Sequence, residues 1–381
     1  MENRIYLDHA ATTPLDKEIL NKMLPYFTDD FGNADSPHAN GRKAMGAVDE
    51  ARDKVAELLG ARKNEVYFTS GGTEADNWAI LGGARAKRAE GKTRVVISSI
   101  EHHAALYAAE TLSREGFEIV YLPVNEGGRV ALSALENAIN ENTALVCLMF
   151  ANNETGVLQP VKEAAKLARE RGALSFTDAV QAAPYLPLNV GELGVDMLSF
   201  SAHKFYGPKG CGVLYIKSGV KVKGHIVGGE QERGLRGGTT NVAAVVGLAA
   251  AYKKTVDEMV AATQTLTALR AAFLEELSAV DGVHINGGND GDLPAVLNLR
   301  IDGVNNADFV FSMDLKGVCV AAGSACASAS IKPSHVLTAM GLDERSAKES
   351  VRISFGKYNT EEEVREAAKI AVEVINRLRK A

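Results

Sequence analysis

Short apolar runs alternate with helical patterns over the first two thirds of the chain. The runs predict strands at 65–69, 94–98, 118–122, 144–150, 173–177, 196–200 and 212–216. Between several of them, apolar residues recur about every 3.6 positions, which predicts amphipathic helices at 73–87, 102–114 and 161–171. Strands separated by helices are typical of a mostly parallel sheet that is covered by helices on both faces. The pattern therefore predicts an α/β fold with a seven-stranded sheet.

The pattern changes in the last third of the chain. A long amphipathic helix is predicted at 257–278, followed by strand-like runs at 283–285, 295–300, 318–321 and 351–354 with helices between them. Thr360 and Glu363 have the spacing of a capping box and predict the start of the last helix. We therefore predict a boundary near residue 260, between a large domain and a smaller α+β domain.

Composition and charge narrow the possible functions. The chain has 381 residues, of which 46% are hydrophobic and 24% are charged, as in ordinary soluble globular proteins. Its longest apolar run, 242–252, is shorter than the ~18 residues of a membrane span, and the first residues do not resemble a secretory signal. The net charge is −6, and no stretch concentrates lysine and arginine as a nucleic-acid groove would. These features predict a cytoplasmic protein that binds neither membranes nor nucleic acids.

One polar segment follows the predicted strand at 65–69, and ligands in open α/β sheets bind at such strand ends. The segment Ser70–Asp76 contains two glycines, and Thr73 lies at the predicted start of a helix. Glycines allow backbone N–H groups to approach an anion, and the hydroxyl adds a further donor. The segment is either a phosphate-binding loop or an ordinary glycine turn with a helix cap. It lacks the G-x-G-x-x-G spacing of dinucleotide-binding folds.

Asp178 and Lys204 follow two successive predicted strands and are 26 residues apart, which corresponds to one βαβ step. Gln181 lies about one helical turn after Asp178, and Ser201 and His203 directly precede the lysine. An enzyme that uses pyridoxal phosphate (PLP) needs a lysine for the Schiff base, a carboxylate that keeps the pyridine nitrogen protonated, and a phosphate cup. The alternative is that Asp178 caps a helix and Lys204 is a surface lysine. Together with the segment at 70–76, the pair favours the cofactor interpretation.

The four cysteines, Cys147, Cys211, Cys319 and Cys326, form no C-x-x-C pair, which argues against a disulfide framework and a metal site. Cys326 lies among small residues at 323–330, which predicts a mobile loop with an accessible thiol. A small-residue turn that happens to contain a cysteine is the alternative. A nucleophilic thiol beside a cofactor that binds a substrate amine suggests group transfer onto sulfur. Arg352, in the predicted strand 351–354, is a candidate for binding a substrate carboxylate or for a peripheral salt bridge.

Taken together, the motifs resemble the cysteine desulfurases of the NifS/IscS type, which belong to the fold-type I PLP enzymes with an aspartate-aminotransferase-like fold. The resemblance covers nearly the whole chain, and its motifs are Tyr6–Pro14, Phe68–Glu74, Glu101-His102, Asn152–Gly156, Asp178–Gln181, Ser201–Lys204, Arg233–Thr239 and Ser324–Ser328. The long Ser-Ala-Cys segment is similar to that of the group that works with scaffold or carrier partners. Two segments, 32–36 and 321–323, depart from the family pattern without removing a group that the mechanism requires.

The resemblance also implies domain limits and residue roles. A large PLP-binding domain would span 15–260, and a small domain would comprise 1–14 and 261–381, including the cysteine segment and Arg352. Lys204 would form the Schiff base with PLP, Asp178 would face the pyridinium nitrogen, and Gln181 would bind the ring hydroxyl. His102 would stack on the ring and move protons.

The remaining implied roles concern the phosphate and the substrate carboxylate. The residues assigned to the phosphate are Gly72, Thr73, Ser201, His203 and, from the other subunit of a homodimer, Thr239. Asn153 would contact the cofactor and, together with Arg352, would hold the substrate carboxylate.

The implied reaction converts L-cysteine to L-alanine and leaves the sulfur on Cys326 as a persulfide. The sulfur would then pass to an acceptor protein for iron–sulfur cluster assembly or tRNA thiolation, with Lys204 and His102 as the other catalytic residues. Aminotransferase and selenocysteine lyase activities share the cofactor residues and stay open as alternatives. A sulfur-delivery hub with low activity until a partner binds is a further possibility from another class.

Overall fold

A seven-stranded sheet forms the centre of the larger part of the molecule. The computed structural model describes residues 4–288, 291–323 and 333–380. The strands are β1 (Ile5–Tyr6), β2 (Val66–Thr69), β3 (Arg94–Ser98), β4 (Glu118–Leu122), β5 (Thr143–Cys147), β6 (Leu174–Asp178), β7 (Met197–Ser201), β8 (Gly212–Ile216), β9 (Val283–Ile285), β10 (Val296–Ile301), β11 (Val318–Cys319) and β12 (Ser350–Ser354). The central sheet has the order β2–β8–β7–β6–β5–β3–β4. Only β8 is antiparallel to its neighbours, so the predicted α/β fold with a mostly parallel seven-stranded sheet is confirmed.

Helices cover this sheet and form most of the remaining structure. They are α1 (Lys17–Met23), α2 (Pro25–Thr28), α3 (Ala39–Leu59), α4 (Gly72–Asn77), α5 (Gly83–Lys87), α6 (His103–Arg114), α7 (Leu132–Ala138), α8 (Val161–Glu170), α9 (Val190–Leu193), α10 (Val242–Leu277), α11 (Asn306–Leu315), α12 (His335–Ala339), α13 (Glu344–Lys348) and α14 (Glu361–Leu378). The single helix predicted at 73–87 is divided, because a π-helical turn at Trp78–Gly82 separates α4 from α5.

The central strands are buried on both faces, which explains why they read as nearly continuous apolar runs. In β2, Val66 and Phe68 pack into the core formed with α3 and the first half of α10, whereas Tyr67 packs into the core on the opposite face. Leu198 and Met197 of β7 divide between the two cores in the same way. The alternation follows from the two-residue period of a strand.

A smaller antiparallel sheet, in the order β12–β10–β9, packs against α11, α14 and the second half of α10. The helix predicted at 257–278 is longer in the structure, where α10 begins at Val242. The Asn241 side chain caps this start by accepting a hydrogen bond from the backbone N–H of Ala244. α10 therefore runs through position 260 and serves both cores, with Leu248 in the first and Phe273 in the second. The domain limits 15–260, and 1–14 with 261–381, stay a prediction.

The two ends of the chain meet at the smaller sheet. β1 pairs in parallel with β11, and Asp8 continues the N-terminal segment by pairing with Ser354 of β12. The predicted capping box is confirmed at the start of α14, where Thr360 and Glu363 exchange side-chain-to-backbone hydrogen bonds of 3.1 and 3.2 Å. Within the ranges that the structure describes, no helix combines the length and the apolar character needed to cross a bilayer.

Candidate active site

A cavity of about 190 Å³ opens at the carboxyl ends of the parallel strands of the central sheet. Ligands in open α/β sheets bind at this edge. The structure brings ten of the twelve predicted site residues together in the wall of this cavity: Gly72, Thr73, His102, Asn153, Asp178, Gln181, Ser201, His203, Lys204 and Arg352. Thr239 is exposed and outside the cavity, and Cys326 lies outside the described residues.

Asp178 and Lys204 line the cavity at the ends of two neighbouring strands, β6 and β7. Asp178 is the last residue of β6 and not the first residue after it, and its Oδ1 accepts a hydrogen bond of 2.8 Å from the backbone N–H of Val180. Burial raises the pKa of Asp178 to about 6, although the Val180 N–H and the Lys204 ammonium act in the opposite direction. At neutral pH, Asp178 is therefore an anion in a buried site.

Lys204 lies in a short 3-10 turn directly after β7. Its Nζ donates hydrogen bonds to the backbone carbonyls of Ala10 and Ala11, at 3.0 Å for the second. Gln181 donates from Nε2 to the same Ala10 carbonyl at 2.8 Å. The N-terminal segment thus orients two predicted cofactor residues through main-chain atoms, which is why no side-chain pattern revealed it.

One wall of the cavity combines close backbone approach with hydroxyl and imidazole groups. Gly71 has φ +150°, and a Cβ added at Gly72 would lie 2.8 Å from Cγ2 of Val180. Another residue would therefore be strained by its backbone conformation at position 71 and would have to displace the Val180 side chain at position 72. Thr73 and Ser201 line the same wall, as does His203.

His203 is a neutral hydrogen-bonding group in this wall at pH 7. Its Nδ1 lies 3.1 Å from Oγ1 of Thr12. Burial, supported by the nearby charge of Lys204, lowers the pKa of His203 to about 4. The hydroxyls, the neutral imidazole and the glycine backbone together form a polar cup that suits a phosphate group.

His102 is also uncharged at neutral pH. It is the N-cap of α6, and its Nδ1 accepts a hydrogen bond of 3.2 Å from the backbone N–H of Ala104. Burial lowers the pKa of His102 to about 4, and the charge of Lys204 adds to this effect. Because Nδ1 is an acceptor, the proton of the neutral ring is on Nε2.

Arg352 is deeply buried in the cavity wall, with 1% of its surface exposed. Nη2 donates to Oδ1 of Asp8 at 2.8 Å, and Nη1 donates to the carbonyl of Asn153 at 3.1 Å. Nε is buried and has no hydrogen-bond partner among the described residues. A buried donor without a partner is costly, so this nitrogen suits a bound acceptor.

Two further buried acids, Asp76 and Glu101, lie in the sequence motifs but have no predicted role. Asp76 of α4 lines the cavity and accepts a hydrogen bond of 2.6 Å from Oγ of Ser199. Burial and the charge of Asp178 raise the pKa of Asp76 well above its usual value. Burial raises the pKa of Glu101 to about 8, and its Oε1 accepts from the backbone N–H of Met149 at 2.7 Å. The sequence around the two acids does not indicate that they are buried, because acidic residues are mostly exposed.

The chain on both sides of Cys326 is attached to the cavity wall. On the N-terminal side, Ala321 exchanges backbone hydrogen bonds of 2.7 and 3.1 Å with Arg352. On the C-terminal side, Ser334 donates from Oγ to Oε2 of buried Glu154 at 2.6 Å, and Glu154 directly follows the cavity residue Asn153.

The fold and the site define a PLP-type α/β enzyme, and comparisons with known proteins agree. The family model for class-V aminotransferases matches residues 5–366. Cysteine desulfurase IscS of Methanosarcina thermophila is 44% identical over 379 residues, covering 99% of this chain and 94% of that protein. Cysteine desulfurase IscS of Clostridium botulinum strain Hall is 43% identical over 382 residues, covering 100% and 96%.

A solved structure described as a NifS-like protein matches with a TM-score of 0.92 and 37% identity, covering 98% of this chain and 99% of that one. The chain belongs to the class-V aminotransferase family and, within it, to the cysteine desulfurases of the IscS and NifS type. The predicted family is therefore confirmed.

Proposed function

We propose that this protein is a PLP-dependent cysteine desulfurase that converts L-cysteine to L-alanine and transfers the sulfur to Cys326. The observation that carries the proposal is the convergence of Lys204, Asp178 and Arg352 on one cavity at the carboxyl edge of the sheet. A lysine and a buried carboxylate suit the cofactor, and the unpartnered Nε of Arg352 suits the carboxylate of an amino acid.

The residues present fit PLP. Asp178 would be the anion for the ring nitrogen, Gln181 would bind the ring hydroxyl, and Lys204 would provide the amine that joins the cofactor. The polar cup of Gly72, Thr73, Ser201 and His203 would hold the phosphate. When bound, PLP supplies an electron sink for the substrate carbon that loses its proton.

The remaining steps belong to side chains of this chain. Arg352 and the segment around Asn153 hold the substrate carboxylate, and the amine of Lys204 takes the α-proton of L-cysteine. His102, which is neutral with its proton on Nε2, presents a donor to the reacting centre. Because these groups are buried, water is kept away from the site where the proton is transferred.

Cys326 receives the sulfur. Its thiolate forms a bond to the substrate sulfur while the bond from that sulfur to carbon breaks, and the electron pair left on carbon takes up a proton to give alanine. The products are L-alanine and a persulfide on Cys326. The reaction needs no external oxidant. The electron pair of the broken carbon–sulfur bond stays on the substrate carbon, and the new sulfur–sulfur bond uses an electron pair of the Cys326 thiolate.

The proposal also includes the oligomeric state of the protein, its compartment and the acceptor of the sulfur. The protein acts as a cytoplasmic homodimer in which exposed Thr239 reaches the phosphate of the other subunit. The persulfide passes to an acceptor protein, either an iron–sulfur scaffold or a tRNA-thiolation enzyme.

The first experiment is an absorbance spectrum of the purified protein, followed by addition of L-cysteine with alanine and sulfide measured together in the presence of a reductant. We expect a yellow protein that forms the two products in equal amounts. A colourless protein that cannot be reconstituted with PLP would contradict the assignment of Lys204 and Asp178. Conversion of a keto acid, or a strong preference for selenocysteine, would instead identify an aminotransferase or a selenocysteine lyase.

The pH dependence of cofactor binding tests Asp178. Its pKa of about 6 in the cofactor-free protein means that the anion is present above this pH and is lost as the pH falls through it. Because the protonated pyridine ring needs this anion, we expect PLP affinity to fall by up to about tenfold per pH unit below about pH 6. Fluorescence titration of the cofactor-free protein between about pH 5 and 8 measures the effect.

Asp178→Asn is the matched control for this titration. The variant keeps the shape of the side chain but cannot ionise, so its affinity should be weaker and should follow only the titration of PLP itself. Identical pH profiles for the two proteins would show that Asp178 does not set the affinity.

A further inference from the structure

We propose that Asp8 is a positioning residue that holds the guanidinium of Arg352 so that its Nε edge faces the substrate carboxylate. The inference rests on the proposed function, because it assigns the substrate carboxylate to Arg352. Asp8 does not line the cavity, and it acts on the substrate only through Arg352.

The backbone fixes Asp8 beside Arg352. Asp8 pairs in parallel with Ser354, and the segment around it is tied to the same residue by three hydrogen bonds. Ser354 donates from its N–H to the carbonyl of Leu7 at 2.8 Å, His9 donates from its N–H to the Ser354 carbonyl at 3.3 Å, and Ala10 donates from its N–H to the Ser354 hydroxyl at 2.9 Å. Arg352 and Ser354 are two residues apart in β12, so their side chains share one face of the strand.

The contacts of the guanidinium leave one nitrogen donor, Nε, for a ligand. Asp8 binds Nη2 at 2.8 Å, and the Asn153 carbonyl binds Nη1 at 3.1 Å. Nε, in contrast, is buried and has no partner in the described part of the chain. A guanidinium binds a carboxylate through its N–H donors, and Nε is the nitrogen that neither Asp8 nor Asn153 occupies. Asp8 and Asn153 thus fix the plane of the group, and Nε is the donor left for a bound acceptor.

The positive charge of Arg352 explains why its neighbour at position 8 is a carboxylate. Arg352 is 1% exposed, and a buried guanidinium without a counter-ion is strongly destabilising. Asp8 provides that counter-ion before the substrate binds, and its side chain is 20% exposed, so water also solvates it. The arginine is therefore held in place while its Nε remains available.

The test compares Asp8→Ala with Asp8→Asn in the PLP-loaded enzyme. Two ligands are used: L-cysteine, which has a carboxylate, and cysteamine, which lacks it. Asp8→Ala removes the hydrogen bond to Nη2, so we expect KM for L-cysteine to rise about tenfold or more with kcat changed less than about threefold. Binding of cysteamine, followed by the change in cofactor absorbance, should stay within about twofold of wild type. Asp8→Asn keeps an acceptor oxygen and should restore most of the L-cysteine affinity.

A matched control is Asp302→Ala, which removes an exposed acid that directly follows β10 of the small sheet and contacts Arg300 at 3.1 Å and His284 at 2.9 Å. It should leave both ligands unaffected. If Asp8→Ala does not fold, Asp8→Ser replaces it, because the hydroxyl is polar but too short to reach Nη2.

Three results would overturn the proposal. Equal losses for L-cysteine and cysteamine would make Asp8 merely structural, and unchanged KM values would leave it without a role. Tighter binding of L-cysteine in both variants would mean that Asp8 competes with the substrate. Failure of the proposed function is distinguishable from all three, because the wild-type enzyme would then not respond to L-cysteine.

Discussion

Replacing Lys204 by alanine is expected to abolish the covalent attachment of PLP and to lower turnover of L-cysteine by about 10³- to 10⁴-fold. The amine of Lys204 is held at the cavity by the carbonyls of Ala10 and Ala11, and it reaches the site from the turn that follows β7. Alanine leaves no amine to join the cofactor and no base to take the α-proton of the substrate. Both losses come from one side chain, which is why the expected effect is large.

The covalent attachment can be measured without any assay of activity. Borohydride reduction followed by mass spectrometry should show one cofactor bound per wild-type chain and none for Lys204→Ala. Non-covalent affinity for PLP should fall much less, since Asp178 and the polar cup remain in place. Lys209→Ala is the matched control, because Lys209 follows on the same segment but is exposed and outside the cavity. A reduced adduct that persists in Lys204→Ala would assign the attachment to another lysine.

The sequence predicted this part of the site because strand ends converge. Asp178 and Lys204 are 26 residues apart in the sequence, yet their strands β6 and β7 are adjacent and parallel. Any polar residue at the carboxyl end of such strands lies at the same edge of the sheet. The positions of Thr73 and Ser201 follow from the same rule, whereas their roles came from the resemblance to a family.

The contacts that complete the site depend on distant parts of the chain. Asp8 and Arg352 are 344 residues apart and meet only because the N-terminal segment pairs with β12. The Ala10 carbonyl that binds Lys204 and Gln181 belongs to the main chain, and therefore any residue type could provide it. No local pattern encodes either contact.

The start of α10 was misplaced for a different reason. The run from Val242 is rich in small apolar residues and has no polar face, because this half of the helix is buried in the first core. Amphipathic periodicity appears only farther along the helix, and the prediction at 257–278 therefore detected that half. A helix that is buried on all sides resembles a buried strand in a single sequence.

Replacing Cys326 by serine is expected to lower the formation of sulfide and alanine to below about a thousandth of wild type. A hydroxyl matches the size of a thiol but is a far weaker nucleophile toward sulfur, and an ordinary thiol already has a pKa of only about 8.5. The PLP spectrum and the binding of L-cysteine should be retained, because the ten predicted site residues in the cavity wall are unchanged.

Cys319→Ser is the matched control, since it makes the same substitution seven residues earlier, in β11, where the side chain is partly buried. After incubation with L-cysteine without a reductant, intact mass should show one added sulfur atom in wild type and in Cys319→Ser, but not in Cys326→Ser. The anchoring of the flanking chain gives a structural reason for this expectation. Ala321 is bonded to Arg352 and Ser334 to Glu154, so the described residues on either side of the cysteine are anchored beside the proposed substrate site. Retention of the added sulfur by Cys326→Ser would assign the acceptor role to another cysteine.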